Sequence, residues 1–352
     1  MSARPVDGGF AARVVAWQEQ HGRNHLPWQN TRDPYRVWLS EIMLQQTQVV
    51  TVRGYFERFV ARLPDVQSLA QASLDDVLGL WSGLGYYSRA RNLHRCAQDV
   101  VALHGGEFPQ TASALESLPG IGRSTAAAIA SLCFGERVAI LDANARRVVA
   151  RVLGFDADLA LASSVRSLWD AASALLPQGP TVASAMPRYT QGMMDLGATL
   201  CLPKKPDCCN CPVRPDCVAT TAADPQRYPV RSRTLKRSSQ AIWLLWAQTD
   251  DAAVWLNKRP TPGVWAGLHC LPLFDSEEAL VMAVPPGLRK QLHPVRAFTH
   301  VLTHKDLHLH AWQLLLPARA VKTVRWDDGQ WVNADAWPTL GLPAPIRKLL
   351  QQ

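Results

Sequence analysis

The chain has 352 residues, a formal net charge of +8 and 47% hydrophobic residues, enough for two domains that each bury a core. The basic charge suits a nucleic-acid partner. The first residues lack the apolar stretch of a signal peptide, and every apolar run is too short to span a bilayer. Secreted and membrane proteins are therefore disfavoured, and we expect a cytoplasmic, nucleoid-associated protein with no membrane partner.

The first half of the chain predicts helices, the first over residues 8–22 and a second from Asp33. Glu41 lies on the flank of the second helix's apolar stripe, where partial desolvation raises the pKa of a carboxyl. The alternative is a glutamate that reaches water or an arginine, which helix composition alone favours. Gln45 and Gln46 follow in an amide-rich patch that can bond base edges or simply be solvated.

Residues 81–91, WSGLGYYSRAR, combine glycines, two tyrosines and two arginines. Such a loop suits a protein that wedges Tyr86 into a duplex while arginines contact phosphates. The alternative is a pair of tyrosines in the core. Only the short run around Val138 predicts a strand in this half, so we expect an otherwise all-α domain over residues 1–224.

A glycine hairpin at residues 118–122 leads into an alanine-rich helix that Gly135 can close. Gly120 and Gly122 allow positive φ and leave backbone N–H groups uncovered at a helix N-terminus, where phosphate binds. A helix–hairpin–helix of this kind grips a nucleic-acid backbone without reading its sequence. An ordinary αα-hairpin turn explains the pattern equally well.

Asp142 ends an apolar run at the point where the next predicted helix begins. Asp is a favoured N-cap, so capping alone can explain it. Capping also keeps a carboxylate ionised, because N–H donors stabilise its charged form. An ionised Asp142 beside a phosphate-gripping hairpin is placed to stabilise a sugar cation.

Five of the eight cysteines lie within residues 201–217, which in a reducing compartment indicates a metal rather than disulfides. Four of them have the spacing C-x₆-C-x₂-C-x₅-C: Cys201, Cys208, Cys211 and Cys217. Both a Cys₄ zinc site and a [4Fe–4S] cluster satisfy this pattern, and its uneven spacing modestly favours the cluster. We interpret Cys209 as a bystander.

Residues 225–240 are basic and aperiodic and predict an interdomain linker that lies along DNA or is merely solvated. From residue 241 to 352 the period of hydrophobic residues changes, and an α+β domain is expected. Its strands are predicted over 241–248, 253–258, 268–274, 295–302 and 307–315, with helices over 277–284 and 344–350. Its histidines at 300, 304, 308 and 310 are expected to divide between two sheet faces rather than to bind a metal.

Six motifs occur in one order along the chain: WLSEIMLQQTQV, WSGLGYYSRARNL, LPGIGRSTA, ILDAN, MMDLGA and the cysteine block. Together they resemble the MutY family of adenine DNA glycosylases, within the helix–hairpin–helix base-excision superfamily. The resemblance covers nearly the whole chain. It implies an all-α glycosylase domain with an iron–sulfur loop, followed by a Nudix-like α+β domain.

The resemblance also implies a function. Such enzymes extrude an adenine that lies opposite 8-oxoguanine or guanine in double-stranded DNA, and they hydrolyse its N-glycosidic bond. Glu41 would protonate N7 of the adenine, and Asp142 would stabilise the oxocarbenium ion through a transient covalent bond. Asn144 would hold that carboxylate or the catalytic water. The four cysteines would hold a [4Fe–4S] cluster in a monomeric protein.

The resemblance also implies that several other residues contact DNA. Gln45 or Gln46 would fill or open the base stack together with Tyr86, and the hairpin glycines would grip phosphate. Ser124 stands where strand-cutting relatives such as endonuclease III have a lysine that forms a Schiff base, which predicts a monofunctional glycosylase.

The C-terminal domain resembles the Nudix-like module with which the family recognises 8-oxoguanine. It lacks the arrangement of glutamates that holds Mg²⁺, so we expect no hydrolase activity. Where the family usually reads Phe-Ser-His, this chain has Leu302, Thr303 and His304. We expect Thr303 and His304 to contact the lesion.

Three alternatives stay open. An endonuclease III-like glycosylase and lyase shares the helical half and the cysteines, but Ser124 and the extra α+β domain oppose it. A non-catalytic DNA-binding module has no need of both Glu41 and Asp142. A Nudix-type nucleotide hydrolase is disfavoured by its missing glutamates.

Overall fold

The computed structural model describes residues 9–232, 236–326 and 328–352, which fall into two units. The first unit comprises Met1–Gln71 and Asn92–Arg233, and the second comprises Ala72–Arg91 and Thr234–Gln352. The domain boundaries expected from the sequence, 1–224, 225–240 and 241–352, stay a prediction.

The described residues of the first unit form helices joined by loops. In chain order the helices up to the linker are α1 Gly9–His21, α2 Pro34–Leu44, α3 Val49–Arg62, α4 Val66–Gln71, α5 Leu74–Leu80, α6 Ser88–His104, α7 Ala112–Glu116, α8 Arg123–Phe134, α9 Ala143–Leu153, α10 Ala162–Ala174, α11 Val182–Thr199 and α12 Val218–Thr221. Of these, α5 and the start of α6 belong to the second unit. The expected all-α architecture is confirmed.

The strand expected around Val138 is wrong. Residues 136–141 run between α8 and α9 with no strand pairing among the described residues. Ala139, Ile140 and Leu141 are nevertheless buried in the core that α1, α9 and α11 share. Their burial explains the apolar run, because side chains can be buried in an extended connection without a sheet partner.

Local signals fix the ends of the helices that carry the candidate site. The carboxylate of Asp33 accepts the backbone N–H of Tyr35 at 2.9 Å at the start of α2, and Pro34 occupies the first turn. Gly135 closes α8 in the left-handed conformation with φ 72°, as its sequence position predicts. These signals fix the start of α2 and the end of α8.

The second unit contains an eight-stranded sheet. Its elements are β1 Ser238–Thr249, β2 Val254–Lys258, β3 His269–Cys270, β4 Leu273–Phe274, α13 Glu277–Ala283, β5 Leu292–Pro294, β6 Phe298–Val301, β7 Lys305–Leu316, β8 Gly329–Val332 and α14 Ala344–Leu350. The central order is β3-β2-β1-β7-β5, while β4 pairs with β1, β6 with β7 and β8 with β2. The α+β class is confirmed, and the strand expected over 268–274 is split into β3 and β4.

One long parallel pairing organises this sheet. Strands β1 and β7 pair in parallel from Ser238 opposite Lys305 to Thr249 opposite Leu316, and the other pairs are antiparallel. Alternate residues of β1 enter separate apolar clusters, with Leu244 in one and Leu245 in the other. Strands β6 and β7 form an antiparallel hairpin whose turn lies between Val301 and Asp306, and β6 covers only part of the strand predicted over 295–302.

The segment 72–91 packs against the end of the chain within the second unit. The hydroxyls of Ser82 and Tyr87 both donate to the carbonyl of Leu342, at 3.1 and 2.9 Å. The guanidinium of Arg347 donates to the Ser82 hydroxyl at 2.9 Å. This segment therefore presents Tyr86 within the sheet-containing unit. Among the described helices, none has the length and hydropathy that crossing a membrane requires.

Candidate active site

Glu41 lies near the end of α2 and is partly buried. On the same helix Trp38, Leu39 and Ile42 are buried, so the predicted stripe does face the core. Burial is the main cause that raises the pKa of Glu41, from 4.5 to about 7, and the negative charge of Asp142 raises it further. Arg23 opposes the shift. Asp142 is therefore close enough to affect the protonation of Glu41.

Asp142 is the N-cap of α9, and its carboxylate accepts the backbone N–H of Ala145 at 2.7 Å. The sequence predicts that capping favours the ionised form, and the structure adds an opposing effect of burial. Burial raises the pKa of Asp142 and outweighs the opposing effects of backbone N–H groups and of Arg146 and Arg147. Capping lowers the cost of an anion here, but removal from water costs more.

Asn144 lies two residues after Asp142 and is held by Arg147, a residue that the sequence analysis missed. The guanidinium of Arg147 donates to the side-chain oxygen of Asn144 at 2.9 Å and to the carbonyls of Gly197 and Cys201, both at 2.6 Å. One cation thus joins the start of α9, the end of α11 and the first cysteine of the loop. Its position three residues after Asn144, on the same helix face, was the available signal.

Gly197 gives the MMDLGA motif a structural role that its sequence did not reveal. A Cβ atom at this position would lie 2.5 Å from Cβ of Asn144 and 2.9 Å from its backbone carbon. Only a glycine lets α11 approach α9 this closely at the residue beside Asp142. A glycine in a helix interior costs stability, so its presence here indicates a packing requirement.

Asp195 and Arg23 form a second group that the sequence analysis missed. Asp195 is fully buried and pairs with the Nε of Arg23 at 2.7 Å, and the backbone N–H of Arg23 donates to its other oxygen at 3.0 Å. Gln191 also donates to Asp195, at 2.9 Å. This carboxylate fixes Arg23, the cation that opposes the pKa shift of Glu41. The pair comes from distant parts of the chain, so no spacing reveals it.

The glycine hairpin lies between α7 and α8. Gly120 has φ 77°, and a Cβ there would lie 2.7 Å from Cβ of Asn92, so this position needs glycine. Gly122 does not adopt the positive φ that was expected, because its φ is −89° as the N-cap of α8. Ser124 accepts the backbone N–H of Leu141 at 3.3 Å, which ties the hairpin helix to the chain just before Asp142.

The two candidate glutamines differ in exposure. The amide of Gln45 is partly buried and donates to the Thr125 hydroxyl at 3.4 Å. Gln46 is exposed and has a left-handed backbone with φ 58°. The left-handed turn directs the residues after α2 away from the helix path.

The predicted metal ligands Cys201, Cys208, Cys211 and Cys217 line a single cavity, and Cys209 is exposed and does not line it. All eight cysteines are free thiols. The guanidinium of the buried Arg151 donates to the sulfur of Cys201 at 3.3 Å. Across the described residues, no three His, Cys, Asp or Glu side chains converge as ligands of a single metal ion.

In the second unit, the hydroxyls of Tyr86 and Thr303 are 2.5 Å apart. Thr303 and His304 lie in the turn between β6 and β7, and both are exposed. Of the other histidines, His308 bonds the hydroxyls of Ser239 and Thr299, and His310 stacks on Trp243.

Comparisons with known proteins cover both parts of the chain. The HhH-GPD superfamily of base excision DNA repair proteins matches residues 39–170, and the NUDIX domain matches residues 242–352. The adenine DNA glycosylase of Buchnera aphidicola subsp. Acyrthosiphon pisum is 35% identical over 344 residues, which is 97% of each chain. The chain belongs to the adenine DNA glycosylase family.

Two further proteins are similar to this chain, one in sequence and one in structure. The human adenine DNA glycosylase is 41% identical over 407 aligned positions, covering 97% of this chain and 73% of the human one. A solved thermostable thymine-DNA glycosylase has a TM-score of 0.53 and 28% identity, covering 60% of this chain and 95% of its own. The two adenine DNA glycosylases thus align in sequence with both the helical part and the NUDIX-type part of the chain.

Gly197→Ala should weaken the packing of α9 on α11. We expect the free energy of unfolding to fall by about 1–3 kcal/mol, because the new methyl group overpacks the site. The measurement is urea unfolding followed by circular dichroism. Gly54→Ala on α3 is the matched control, since a Cβ there meets only the end of a flexible arginine at 3.6 Å. Equal stability of the two variants would contradict the close approach at Gly197.

Glu41→Gln should stabilise the folded chain above pH 7. The folded-state pKa of Glu41 lies near 7 and the ordinary value near 4.5, so the wild type loses stability as the pH rises between these values. The variant has no such loss, and at pH 8 its free energy of unfolding should exceed that of the wild type by at most about 3 kcal/mol.

Unfolding of wild type and variant at pH 5 and pH 8 checks this expectation. The exposed Glu57 provides the control variant Glu57→Gln, which makes the same change of side chain away from the candidate site. An advantage of Glu41→Gln that stays constant between these pH values would show that Glu41 titrates normally.

Proposed function

We propose that the chain acts as a monomer and removes adenine by hydrolysis from double-stranded DNA in which the adenine lies opposite 8-oxoguanine or guanine. The observation that carries the proposal is that Asp142 raises the pKa of Glu41, a partly buried carboxyl, while Ser124 of the hairpin helix bonds the chain just before Asp142. Membership of the adenine DNA glycosylase family supports the choice of base.

Glu41 is the proposed general acid. A pKa near 7 leaves about half of the Glu41 side chains protonated at neutral pH, and a proton is available for N7 of the extruded adenine. Adenine leaves poorly as an anion, so protonation lowers the barrier to breaking the N-glycosidic bond. Arg23, fixed by Asp195, limits how far this pKa rises.

Asp142 is the proposed anion. Several groups that stabilise a negative charge act on Asp142. These are the N–H of Ala145 and the side chains of Arg146 and Arg147. The carboxylate stabilises the oxocarbenium ion, through a transient bond to the sugar or by its charge alone.

Asn144 is the proposed partner of that carboxylate or of the catalytic water. Its side-chain oxygen accepts from Arg147, which leaves its amide N–H groups as donors. The cation therefore fixes which end of the amide faces Arg147. In this proposal Arg147 orients Asn144, and Arg147 itself does not contact the substrate.

The proposed DNA contacts follow from exposure. The hairpin that Gly120 shapes presents backbone N–H groups for a phosphate. Gln46 is the better candidate than Gln45 for entering the base stack, because Gln46 is exposed on a left-handed turn and Gln45 bonds Thr125. Tyr86 is 42% exposed and is the proposed wedge. Ser124 has no amine, so no Schiff base forms at that position and the strand stays intact.

The proposed cofactor is a [4Fe–4S] cluster held by Cys201, Cys208, Cys211 and Cys217. The proposal is supported by the four side chains, which line one cavity as free thiols; a cluster takes ligands spread around it and does not need them to converge on a single ion. When bound, a cluster links four positions of the loop and fixes its shape. Stoichiometric iron and sulfide in the purified protein are expected, and one zinc ion per chain would contradict the assignment.

Glu41→Gln should bind a duplex with adenine opposite 8-oxoguanine as the wild type does, yet release adenine at least about 100-fold more slowly. Glutamine keeps the size of the side chain and has no acidic proton to give. Single-turnover excision at neutral pH measures the effect, with Glu57→Gln as a control that keeps wild-type rates. Near-wild-type release by Glu41→Gln would overturn the assignment.

The same wild-type reactions test for strand cleavage. Fragments that form only after alkali treatment are expected of a monofunctional glycosylase. Fragments without alkali, with strong trapping of the enzyme on DNA by borohydride, would indicate a lyase. No fragments under either condition would indicate a DNA-binding module.

A further inference from the structure

Arg151 on α9 is a charged residue that the proposed catalysis does not use. It is buried, with 2% of its surface exposed, and it lines the same cavity as the four cysteines assigned to the cluster. We propose that the guanidinium of Arg151 is the counter-charge of a [4Fe–4S] cluster in this cavity and makes the cluster harder to oxidise. This inference rests on the proposed cofactor and adds to it a residue that sets its reduction potential.

The hydrogen bonds of Arg151 go to neutral acceptors. Its guanidinium donates to three backbone carbonyls, those of Leu202 at 2.7 Å and of Pro203 and Tyr228, both at 3.2 Å. A fourth hydrogen bond goes to the sulfur of Cys201 at 3.3 Å. Carbonyls orient a guanidinium, but they do not neutralise its charge.

The protein supplies this buried cation with no carboxylate partner. Among the residues that the structure describes, no Asp or Glu forms an ion pair with Arg151. Asp207 also lines the cavity, but it is exposed, and its carboxylate accepts hydrogen bonds from the backbone and side chain of Asn210. Because a buried charge without an opposing charge is costly, the arrangement favours an anionic ligand in the cavity.

Arg151 is held in place from both ends of the cysteine loop. Its guanidinium contacts Cys201, the first of the four cysteines, and its backbone carbonyl lies 3.5 Å from the sulfur of Cys217, the last of them. The carbonyl of Tyr228, beyond the loop, fixes the guanidinium from another side. These contacts keep the cation at the cavity and away from water.

A [4Fe–4S] cluster on four thiolates is such an anion. The thiolates carry four negative charges and the resting core carries two positive ones, so the loaded site has a net negative charge. Loss of one electron makes the site less negative, and a nearby cation then stabilises it less. A cation fixed in a cavity of low dielectric constant therefore favours the resting form over the oxidised form. The hydrogen bond to the sulfur of Cys201 acts in the same direction.

Arg151→Gln tests the inference because it keeps a hydrogen-bond donor and removes the charge. The readout is the reduction potential of the couple between the oxidised and the resting cluster, measured by voltammetry of the purified holoprotein at an electrode that exchanges the electron. We expect the equilibrium to shift about tenfold towards the oxidised form, which lowers the potential of this one-electron couple by about 59 mV. Arg151→Lys keeps the charge and should retain most of the wild-type potential.

Arg214→Gln is the matched control, since Arg214 lies in the same loop but is exposed, so that water and salt screen its charge. Its potential should equal that of the wild type. Iron content is the second readout, and a cluster that Arg151→Lys retains and Arg151→Gln loses would also support the need for the charge.

Two results would overturn the inference and leave the cofactor assignment intact. One is an unchanged potential in Arg151→Gln. The other is an equal change of potential, or an equal loss of iron, in Arg151→Gln and Arg151→Lys, because the charge would then have no effect of its own. Absence of iron from the wild type would instead refute the proposed cofactor, and this inference with it.

Discussion

Glu41 and Asp142 are partly buried carboxyls, and the repulsion between their negative charges is the constraint on which the candidate site depends. Removing either carboxyl from water favours its neutral form, and placing them near each other makes a second charge more costly still. N–H groups and arginines oppose the effect of burial at Asp142, whereas Arg23 opposes it at Glu41. The different environments support the different roles proposed for the two groups.

Helix α9 carries most of this arrangement. Its first turn holds Asp142 and Asn144, and its second holds Arg147, which reaches the carbonyls of Gly197 and Cys201. Arg151, one turn further along, bonds the sulfur of Cys201. A single helix therefore connects the candidate catalytic carboxylate with the cysteine loop. The close approach of α11 at Gly197 keeps that helix in place, so packing and chemistry depend on the same few atoms.

Much of the architecture could be predicted because it depends on local signals. Asp33 and Asp142 are N-caps, Gly135 closes a helix, and the turn between β6 and β7 lies where strand alternation places it. The sequence predictions were wrong where residues are buried without following the period of a helix or a strand. The run near Val138 is apolar because the core covers it, and strand 268–274 is interrupted at Leu271 and Pro272.

The candidate site was predictable in its reacting groups and not in its supports. Glu41 and Asp142 follow from motifs, whereas the ion pair of Arg23 with Asp195 requires residues 172 positions apart to meet. The balance of effects on Asp142 was also beyond the sequence, since burial and capping shift its pKa in opposite directions and only coordinates decide which is larger. The bond between Tyr86 and Thr303 likewise joins residues that no spacing relates.

The most direct test of the account is a titration of Glu41 by NMR, in full-length protein labelled with ¹³C at the glutamate carboxyls. The wild type should show a carboxyl with a pKa of about 7 that disappears in Glu41→Gln. In Asp142→Asn the same carboxyl should titrate at a lower pH, because the neighbouring negative charge is gone. An ordinary glutamate pKa in the wild type, or a pKa that does not move in Asp142→Asn, would contradict the coupling of the two carboxyls.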